Sequence, residues 1–437
     1  MSFFFALVFM VLVFWRPQDW LFPWLFGFPL LQVVIAIGSL CLLVELIERR
    51  VAIPKGPVIF LLAGLLIGAL MSHVAHAYFA GMVATFADVW KLSYFAIFLY
   101  CVTDRVSRLR AIAVVFVVLA CVMSVHALMQ QKLGYGFMGY RPLWTHSPYS
   151  LEVEYTRSLF FGIFEDPNDL AQILATAIPF AFVVTKRGGV PGFLLGTGIS
   201  ALLVSAIIST HSRGGQIGLA VVFAAMAFIH LPRRWMQLLL VLAAIGALAL
   251  CPFAGPYLEE SSAGRMDFWG QANAVFKQNP LFGVGYRMLS DYIAGDRAVH
   301  NAFVLCYSEL GLFGYWFWFT AIAAGVVGSW RARVALRDSD SADGKYLSSF
   351  AGMAIAATAS FLASSYFLSR AYVYPIFFLF VTLNAVVVVA LPMLSDRTYP
   401  LALVGRQLFI YGTTATVSSI FYIYISVILL NVAYKGG

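Results

Sequence analysis

The sequence predicts an all-α, polytopic membrane protein with about 12–13 transmembrane helices. Of its 437 residues, 62% are apolar or aromatic and only 11% are charged, whereas soluble domains have about half apolar and a quarter charged residues. Its repeated apolar stretches of about 18 or more residues are long enough to cross a bilayer core. Its Lys and Arg residues cluster in every second connection between these apolar stretches. This composition excludes a soluble enzyme.

Each predicted helix corresponds to one apolar run, since a chain in lipid must satisfy its own backbone hydrogen bonds. The first run is short for a bilayer core, and the last is also compatible with a re-entrant or interfacial segment. The side on which the C-terminus lies therefore stays open. The runs are 3–15, 30–47, 58–80, 85–102, 111–129, 169–185, 191–208, 214–230, 235–252, 301–329, 347–368, 372–392 and 407–431.

The orientation follows from the basic connections, because Lys and Arg beside membrane spans stay in the cytoplasm. Short connections near residues 49–55, 105–110, 186–187, 233–234, 331–345 and 397–406 carry these residues. The other connections include two long polar loops, near 130–168 and 253–300. Long ordered loops usually carry function. We therefore expect a working site on the external face of the membrane, which is the periplasmic face of the bacterial inner membrane if the organism is Gram-negative.

The chain divides into three predicted parts. Residues 1–252 form a transmembrane helix bundle with the external loop near 130–168, residues 253–300 form a large periplasmic loop with an amphipathic helix, and residues 301–437 form the C-terminal transmembrane helices. The net charge of +8 records membrane orientation. We therefore expect membrane lipids as partners and no nucleic acid.

Arginines on the predicted external face point to an anionic ligand, because a guanidinium donates two parallel hydrogen bonds to phosphate. Alternatively, several of them extend to lipid headgroups or pair with nearby glutamates. We expect Arg287 and Arg297 to matter less if they are surface residues. The external arginines are Arg16, Arg141, Arg157, Arg213, Arg265, Arg287, Arg297 and Arg370.

Arg213 and Arg265 are the strongest phosphate candidates. Arg213 follows a polar hinge and opens a helix, whose N-terminus also favours an oxyanion. Arg265 begins a segment in which Met266, Trp269 and Phe276 recur at helical spacing. This pattern predicts a helix lying in the membrane interface with Arg265 near the lipid headgroups.

His300 is the candidate general base, because imidazole titrates near neutral pH and this residue lies at the predicted membrane boundary. The alternative is that it caps the helix that follows. Glu309 lies two to three turns inside that helix, where a carboxylate needs a polar partner. His211 also lies at the external boundary, but the nearby Arg213 would lower its basicity.

A carboxylate cluster offers a metal-binding alternative at the end of the first long loop. Glu165, Asp166 and Asp169 surround Pro167, and carboxylates of this kind hold the metal in metal-dependent membrane glycosyltransferases. The simpler interpretation makes Asp166 a helix N-cap with Pro167 at the first helical position. We therefore predict no metal and no cofactor.

Several short motifs, taken together and in this order, resemble the O-antigen ligase and polymerase superfamily. The resemblance spans roughly residues 155 to 320, and Arg16-Pro17-Gln18-Asp19-Trp20 further resembles the O-glycosylation ligase subgroup. The motifs are Gly162-Ile163-Phe164 with Asp166-Pro167-Asn168, Ser212-Arg213-Gly214, Arg265 with Trp269, Asn279-Pro280-Leu281-Phe282-Gly283-Val284-Gly285, and His300-Asn301 followed by Glu309-Leu310-Gly311 and Gly314.

The resemblance implies a GT-C-like glycosyltransferase that moves a preassembled glycan from undecaprenyl diphosphate to a hydroxyl of the lipid A core. His300 would be the base in a metal-independent, inverting transfer, and Arg157, Arg213 and Arg265 would bind the diphosphate. The supporting residues would be Gly214, Gly283, Gly285, Asn301 and Glu309.

Two alternatives remain open from the sequence. An O-antigen polymerase or a protein O-oligosaccharyltransferase would use the same donor with another acceptor. A transporter or flippase for an anionic lipid would also need external arginines, but it would require a polar path to the cytoplasmic side.

Overall fold

The computed structural model describes residues 1–25, 27–147, 150–230, 235, 260–294, 298–394 and 400–435. Almost all regular structure in these residues is helical. The elements are α1 (Ser2–Phe14), α2 (Pro17–Trp20), α3 (Leu30–Ile47), α4 (Val58–Val74), α5 (Phe79–Val102), α6 (Val106–Leu133), β1 (Leu143–Ser147), β2 (Ser150–Arg157), α7 (Pro167–Thr185), α8 (Gly189–Ser209), α9 (Arg213–His230), α10 (Glu260–Gln278), α11 (Ala302–Leu336), α12 (Ala342–Ser365), α13 (Tyr374–Ala390) and α14 (Gly405–Lys435).

The predicted fold class, an all-α polytopic membrane protein, is confirmed. Eight helical stretches in the described residues are long and apolar enough to cross a membrane, and one of them, Pro167–Ser209, contains both α7 and α8. The shorter helices α1, α4 and α9 are also apolar. Twelve of the predicted runs are therefore helices, and residues 236–252 of the remaining run, 235–252, lie outside the described residues.

The C-terminal run forms a full-length helix that passes from one end of the bundle to the other. Near its start, Gln407 accepts a hydrogen bond from Arg331, at the end of the bundle that carries the basic connections. Near its end, Asn431 donates to the carbonyl of Met266 in α10, at the other end. The C-terminal end of α14 therefore lies on the face that the basic connections predict to be periplasmic.

Helices α7, α12 and α13 form the centre of the bundle. In the helical stretch Tyr374–Met393, which contains α13, 78% of the most apolar 18-residue segment is buried within the protein. The corresponding share in α3 is only 11%. Small residues let the central helices approach closely: Ser360 of α12 donates to the carbonyl of Gly218 in α9 at 2.9 Å. The exposed apolar faces of peripheral helices such as α3 suit contact with lipid.

The first external loop contains an antiparallel hairpin of β1 and β2, in which Leu143 pairs with Arg157. The sequence analysis did not anticipate these strands, although residues 150–157 alternate polar and apolar residues as a half-exposed strand does. The hairpin brings Arg157 back to the end of the bundle.

Helix α10 forms in the second external loop, as predicted, but its apolar face packs against protein. Met266 and Trp269 are buried, and the rings of Phe276 and Tyr307 of α11 lie 4.8 Å apart. The tyrosine hydroxyl donates to Asn273 at 2.5 Å. The face predicted to enter the membrane interface is therefore covered by α11 and α14.

Helix α11 is broken at Gly311, which has a φ of 63°. The segment 280–285 inserts at this break and pairs its backbone with both halves of the helix, so the polar groups freed by the break are satisfied within the protein. The hydrogen bonds join Leu312 N to Pro280 O (2.8 Å), Phe313 N to Leu281 O (3.0 Å), Val284 N to Ser308 O (3.0 Å) and Gly285 N to Glu309 O (3.1 Å).

We expect Gly283→Ala to destabilise the protein by roughly 2–4 kcal/mol, because Gly283 has a φ of 68° and a Cβ would overlap the backbone of Glu309. Gly198→Ala is the matched control, since no atom lies within 4 Å of a Cβ there. Thermal unfolding in detergent measures both variants. Equal stability of the two would show that the inserted segment does not depend on close backbone approach.

Candidate functional site

The start of α7, the β-hairpin and the hinge before Arg213 meet at the predicted external end of the bundle. Asp166 caps the helix by accepting from the Asn168 N–H at 2.6 Å. The Asn168 side-chain oxygen accepts from Arg157 at 3.0 Å and from the hydroxyl of Ser212 at 2.7 Å. Arg157 also donates to the carbonyl of Thr210 at 2.9 Å. One short stretch of α7 therefore fixes the β-hairpin and the hinge that leads to Arg213.

The next residue, Asp169, anchors a fourth segment through a two-point ion pair with Arg370. The Arg370 Nε donates to the Asp169 carboxylate at 2.5 Å, and Nη2 donates to its second oxygen. The Asp169 side chain is only 4% exposed. Burial by itself lowers the pKa of Arg370, but hydrogen bonding and attraction to Asp169 outweigh it and raise this pKa. Arg370 therefore remains a cation.

His300 lies beside this ion pair. Its backbone N–H donates to the hydroxyl of Ser369 at 2.8 Å, and its φ is 51°. The preceding carbonyl, of Val299, accepts from the buried indole of Trp269 at 2.6 Å. The following residue, Asn301, caps α11 through its side-chain oxygen. Contacts on both sides therefore hold the backbone of His300 in a fixed, uncommon conformation.

Two adjacent cavities lie on this predicted external face. The acidic cavity has a volume of about 520 Å³, and the basic cavity has a volume of about 330 Å³. Arg287, Arg370 and Tyr372 line both of them. Ser369 and Val299 line the basic cavity, which places it next to His300.

The two cavities differ in charge. The described wall of the acidic cavity carries four carboxylates and three cations, including the Arg287–Asp88 pair at 2.8 Å. The described wall of the basic cavity carries the two shared arginines and one carboxylate, that of Glu309. The basic cavity is therefore better suited to an anion, and the acidic cavity to hydroxyl groups that donate hydrogen bonds.

Buried polar groups surround these cavities. Glu309 is 2% exposed and accepts from the backbone N–H groups of Arg287 and Leu289, while its Oε2 has no hydrogen-bond partner among the described residues. Burial raises the pKa of Tyr286 and of Tyr372 well above the usual range. Both hydroxyls therefore stay protonated at neutral pH.

The structure brings Arg213 close to the segment that carries Arg370, because Ser364 of α12 donates to the carbonyl of Gly214 at 3.1 Å. Arg157 makes its two hydrogen bonds to neighbouring segments of the protein. Neither Arg157 nor Arg213 is part of the described walls of the two cavities. The side chain of Arg265 lies outside the described part of the chain.

The predicted supporting residues have identifiable local roles. Gly283 and Gly285 adopt positive φ values of 68° and 118° where the segment 280–285 crosses α11. Asn301 accepts at 3.0 Å from Phe303 N as the helix cap. A structural role for these residues is thus visible, whereas a role in ligand binding stays a prediction.

Arg287 and Arg370 are the cavity arginines that the sequence analysis did not select. Arg287 lines both cavities although its side chain is 63% exposed, and whether it matters less than Arg213 and Arg265 stays a prediction. Arg297 lies outside the described residues. The sequence signal for Arg370 was its place among the external arginines, but only the fold reveals its partner, Asp169, 201 positions away.

The carboxylates considered as metal ligands have protein partners. Asp166 caps α7, Asp169 binds Arg370, and Glu165 accepts from the Gly162 N–H at 3.3 Å. No group of three or more His, Cys, Asp or Glu suited to a metal is found in the described residues. Independence from metal stays a prediction about the reaction.

The described residues form a polytopic helical bundle with arginine-lined cavities at one end, which is the architecture of an integral membrane protein. A model of the O-antigen ligase family matches residues 198–319, which include Arg213, Arg265 and His300. This match supports the predicted resemblance to the O-antigen ligase superfamily, and the family implies a membrane glycosyltransferase-like enzyme with a lipid-linked glycan donor. No curated protein matches the chain.

We expect Asp169→Asn to destabilise the protein by about 3 kcal/mol, because it leaves the Arg370 guanidinium half-buried without its counter-charge. The double variant Asp169→Asn/Arg370→Gln should recover part of this loss. Asp88→Asn removes the partner of the more exposed Arg287 and should cost less than about 1 kcal/mol. Thermal unfolding measures all three, and equal effects at Asp169 and Asp88 would contradict the anchoring role.

Proposed function

We propose that the protein is an O-antigen ligase. It transfers a preassembled polysaccharide from undecaprenyl diphosphate to a hydroxyl of the lipid A core on the periplasmic face of the inner membrane. The observation that carries the proposal is the family match over residues 198–319. The convergence of His300, Arg287 and Arg370 around the basic cavity, within the same external face, supports it.

In the proposed reaction, His300 removes the proton from the acceptor hydroxyl as its oxygen attacks the anomeric carbon of the glycan. The bond between that carbon and the diphosphate oxygen breaks, and undecaprenyl diphosphate leaves with the electron pair. A single displacement from the opposite side inverts the anomeric centre. No covalent glycosyl-enzyme intermediate forms.

Fixed cations stabilise the leaving diphosphate in this proposal. Arg213 and Arg265 would bind it directly, and Arg157 would support them by holding the Thr210 carbonyl and Asn168. Arg287 and Arg370 line the basic cavity and would add their positive charge to this site. A guanidinium is suited to this role because it stays charged and presents a planar fork.

Purified protein, incubated with a lipid-diphosphate-linked glycan and lipid A core, should give the glycan joined to the core, detected as a mass or mobility shift of the core. Chelation with EDTA should leave the rate nearly unchanged. Product longer than the donor glycan would indicate a polymerase instead. Absence of any covalent product, with donor moved across vesicles, would favour the transporter alternative.

His300→Asn should lower transfer by about 100-fold or more, because it removes the proposed base. Asparagine tolerates the positive φ of this position better than alanine does. His211→Asn is the matched control, since His211 has a φ of 52°, and it should retain measurable activity. Donor binding and thermal stability should stay close to wild type in both variants. A folded His300→Asn protein with near wild-type turnover would exclude this base.

Arg213→Lys and Arg265→Lys should each reduce transfer by about tenfold or more, because lysine keeps the charge but loses the two-point hydrogen bonding. Arg141→Lys serves as the control, because Arg141 lies in the first predicted external loop and is exposed. Steady-state rates at varied donor concentration measure the effect. Equal tolerance at all three positions would remove the basis for the phosphate site.

A further inference from the structure

A third cavity, separate from the acidic and basic cavities, lies at the opposite end of the bundle from His300. It has a volume of about 860 Å³ and lies among the turn between α5 and α6, the turn between α7 and α8, the start of α12 and the end of α13. The basic connections predict this end to be cytoplasmic. The proposed glycan transfer uses none of its residues.

Three arginines line this cytoplasmic cavity: Arg105 just before α6, Arg110 near the start of α6 and Arg187 between α7 and α8. Arg110 donates to the carbonyl of Val184 at 3.2 Å, which uses one of its nitrogens. The guanidinium of Arg187 lies 4.7 Å above the ring of Tyr346 and also pairs with Asp343. Packing and hydrogen bonds therefore orient these cations towards a common space.

Cations outnumber carboxylates around this cavity. Arg105 pairs with Asp104 at 2.9 Å, and Arg108 pairs with the same carboxylate at 3.2 Å. Of the acidic residues, Asp104 and Asp343 line the described wall. Three guanidinium groups, those of Arg105, Arg110 and Arg187, therefore line the described wall against two carboxylates. The surplus positive charge favours an anionic ligand.

The remaining wall of the cavity is apolar and continues to the lipid-facing surface. Val114 and Val115 of α6, with Val389 of α13, contribute to it. Val114 is 39% exposed, on the outside of the bundle. A soluble anion would gain nothing from this wall, whereas an acyl chain would bury apolar surface against it.

We propose that this cytoplasmic cavity binds an anionic phospholipid, with the phosphate group at Arg105, Arg110 and Arg187 and an acyl chain along the valines. The planar guanidinium fork matches phosphate oxygens. Basic pockets between transmembrane helices at the cytoplasmic side are suited to such headgroups. The lipid would tie together α6, α7, α12 and α13, the helices whose other ends carry the external site.

Native mass spectrometry of delipidated, detergent-purified protein tests the proposal with phosphatidylglycerol as the probe. We expect one phosphatidylglycerol to bind at least about tenfold more tightly than phosphatidylcholine, because only the former carries a net negative charge. The same lipid should raise the unfolding temperature. Inorganic phosphate at equal concentration should have a much smaller effect.

Arg110→Gln/Arg187→Gln should weaken phosphatidylglycerol binding by about tenfold. Arg50→Gln is the control, because Arg50 is 72% exposed, pairs with Glu48 at 2.9 Å and lies on the same predicted face outside the cavity. If the double variant does not fold, Ala111→Phe provides a second test, since it fills the cavity without changing charge.

Three results would overturn the proposal. The first is equal affinity for the two lipids, which would remove the role of charge. The second is equal stabilisation by inorganic phosphate, which would identify a site for a soluble anion. The third is wild-type lipid affinity in both the arginine double variant and Ala111→Phe.

Discussion

The ion pair between Asp169 and Arg370 is the constraint on which the external site depends. It joins the start of α7 to the connection between α12 and α13, 201 residues away. Because Ser369 accepts from the backbone of His300, the position of Arg370 also fixes the start of α11. Asn168 holds Arg157 and Ser212 from the other side of the same helical turn. Separate external segments therefore meet at one helix end.

A second constraint acts inside the membrane-spanning part of the chain. The break in α11 at Gly311 accepts the backbone of residues 280–285, so the large external loop is tied to the same helix that begins after His300. Glu309 lies at this junction and accepts from the backbone of Arg287 and Leu289. With side chains at both Gly283 and Gly311, residues 280–285 could not pack into the break in α11, because the two backbones lie in direct contact there.

The sequence predicted the helices well, because the bilayer imposes one solution on each apolar run: residues 374–390 and 405–435 are helical as their hydropathy requires. It also identified His300 and the external arginines as candidates. It did not reveal the pairing of Arg370 with Asp169, because contacts between distant segments have no local pattern. The face of α10 around Trp269 was likewise predicted to meet lipid, since an amphipathic pattern does not distinguish lipid from the apolar side of another helix. The role of Gly283 required the three-dimensional approach to Glu309.

The most direct test of the account is a structure determined with a lipid-diphosphate-linked glycan bound. We expect the diphosphate within hydrogen-bonding distance of the external arginines, Arg213 or Arg265 among them, and the anomeric carbon on the side facing His300. Density for the diphosphate at the other end of the bundle, beside Arg110 and Arg187, would contradict the assignment of the external face as the site of transfer.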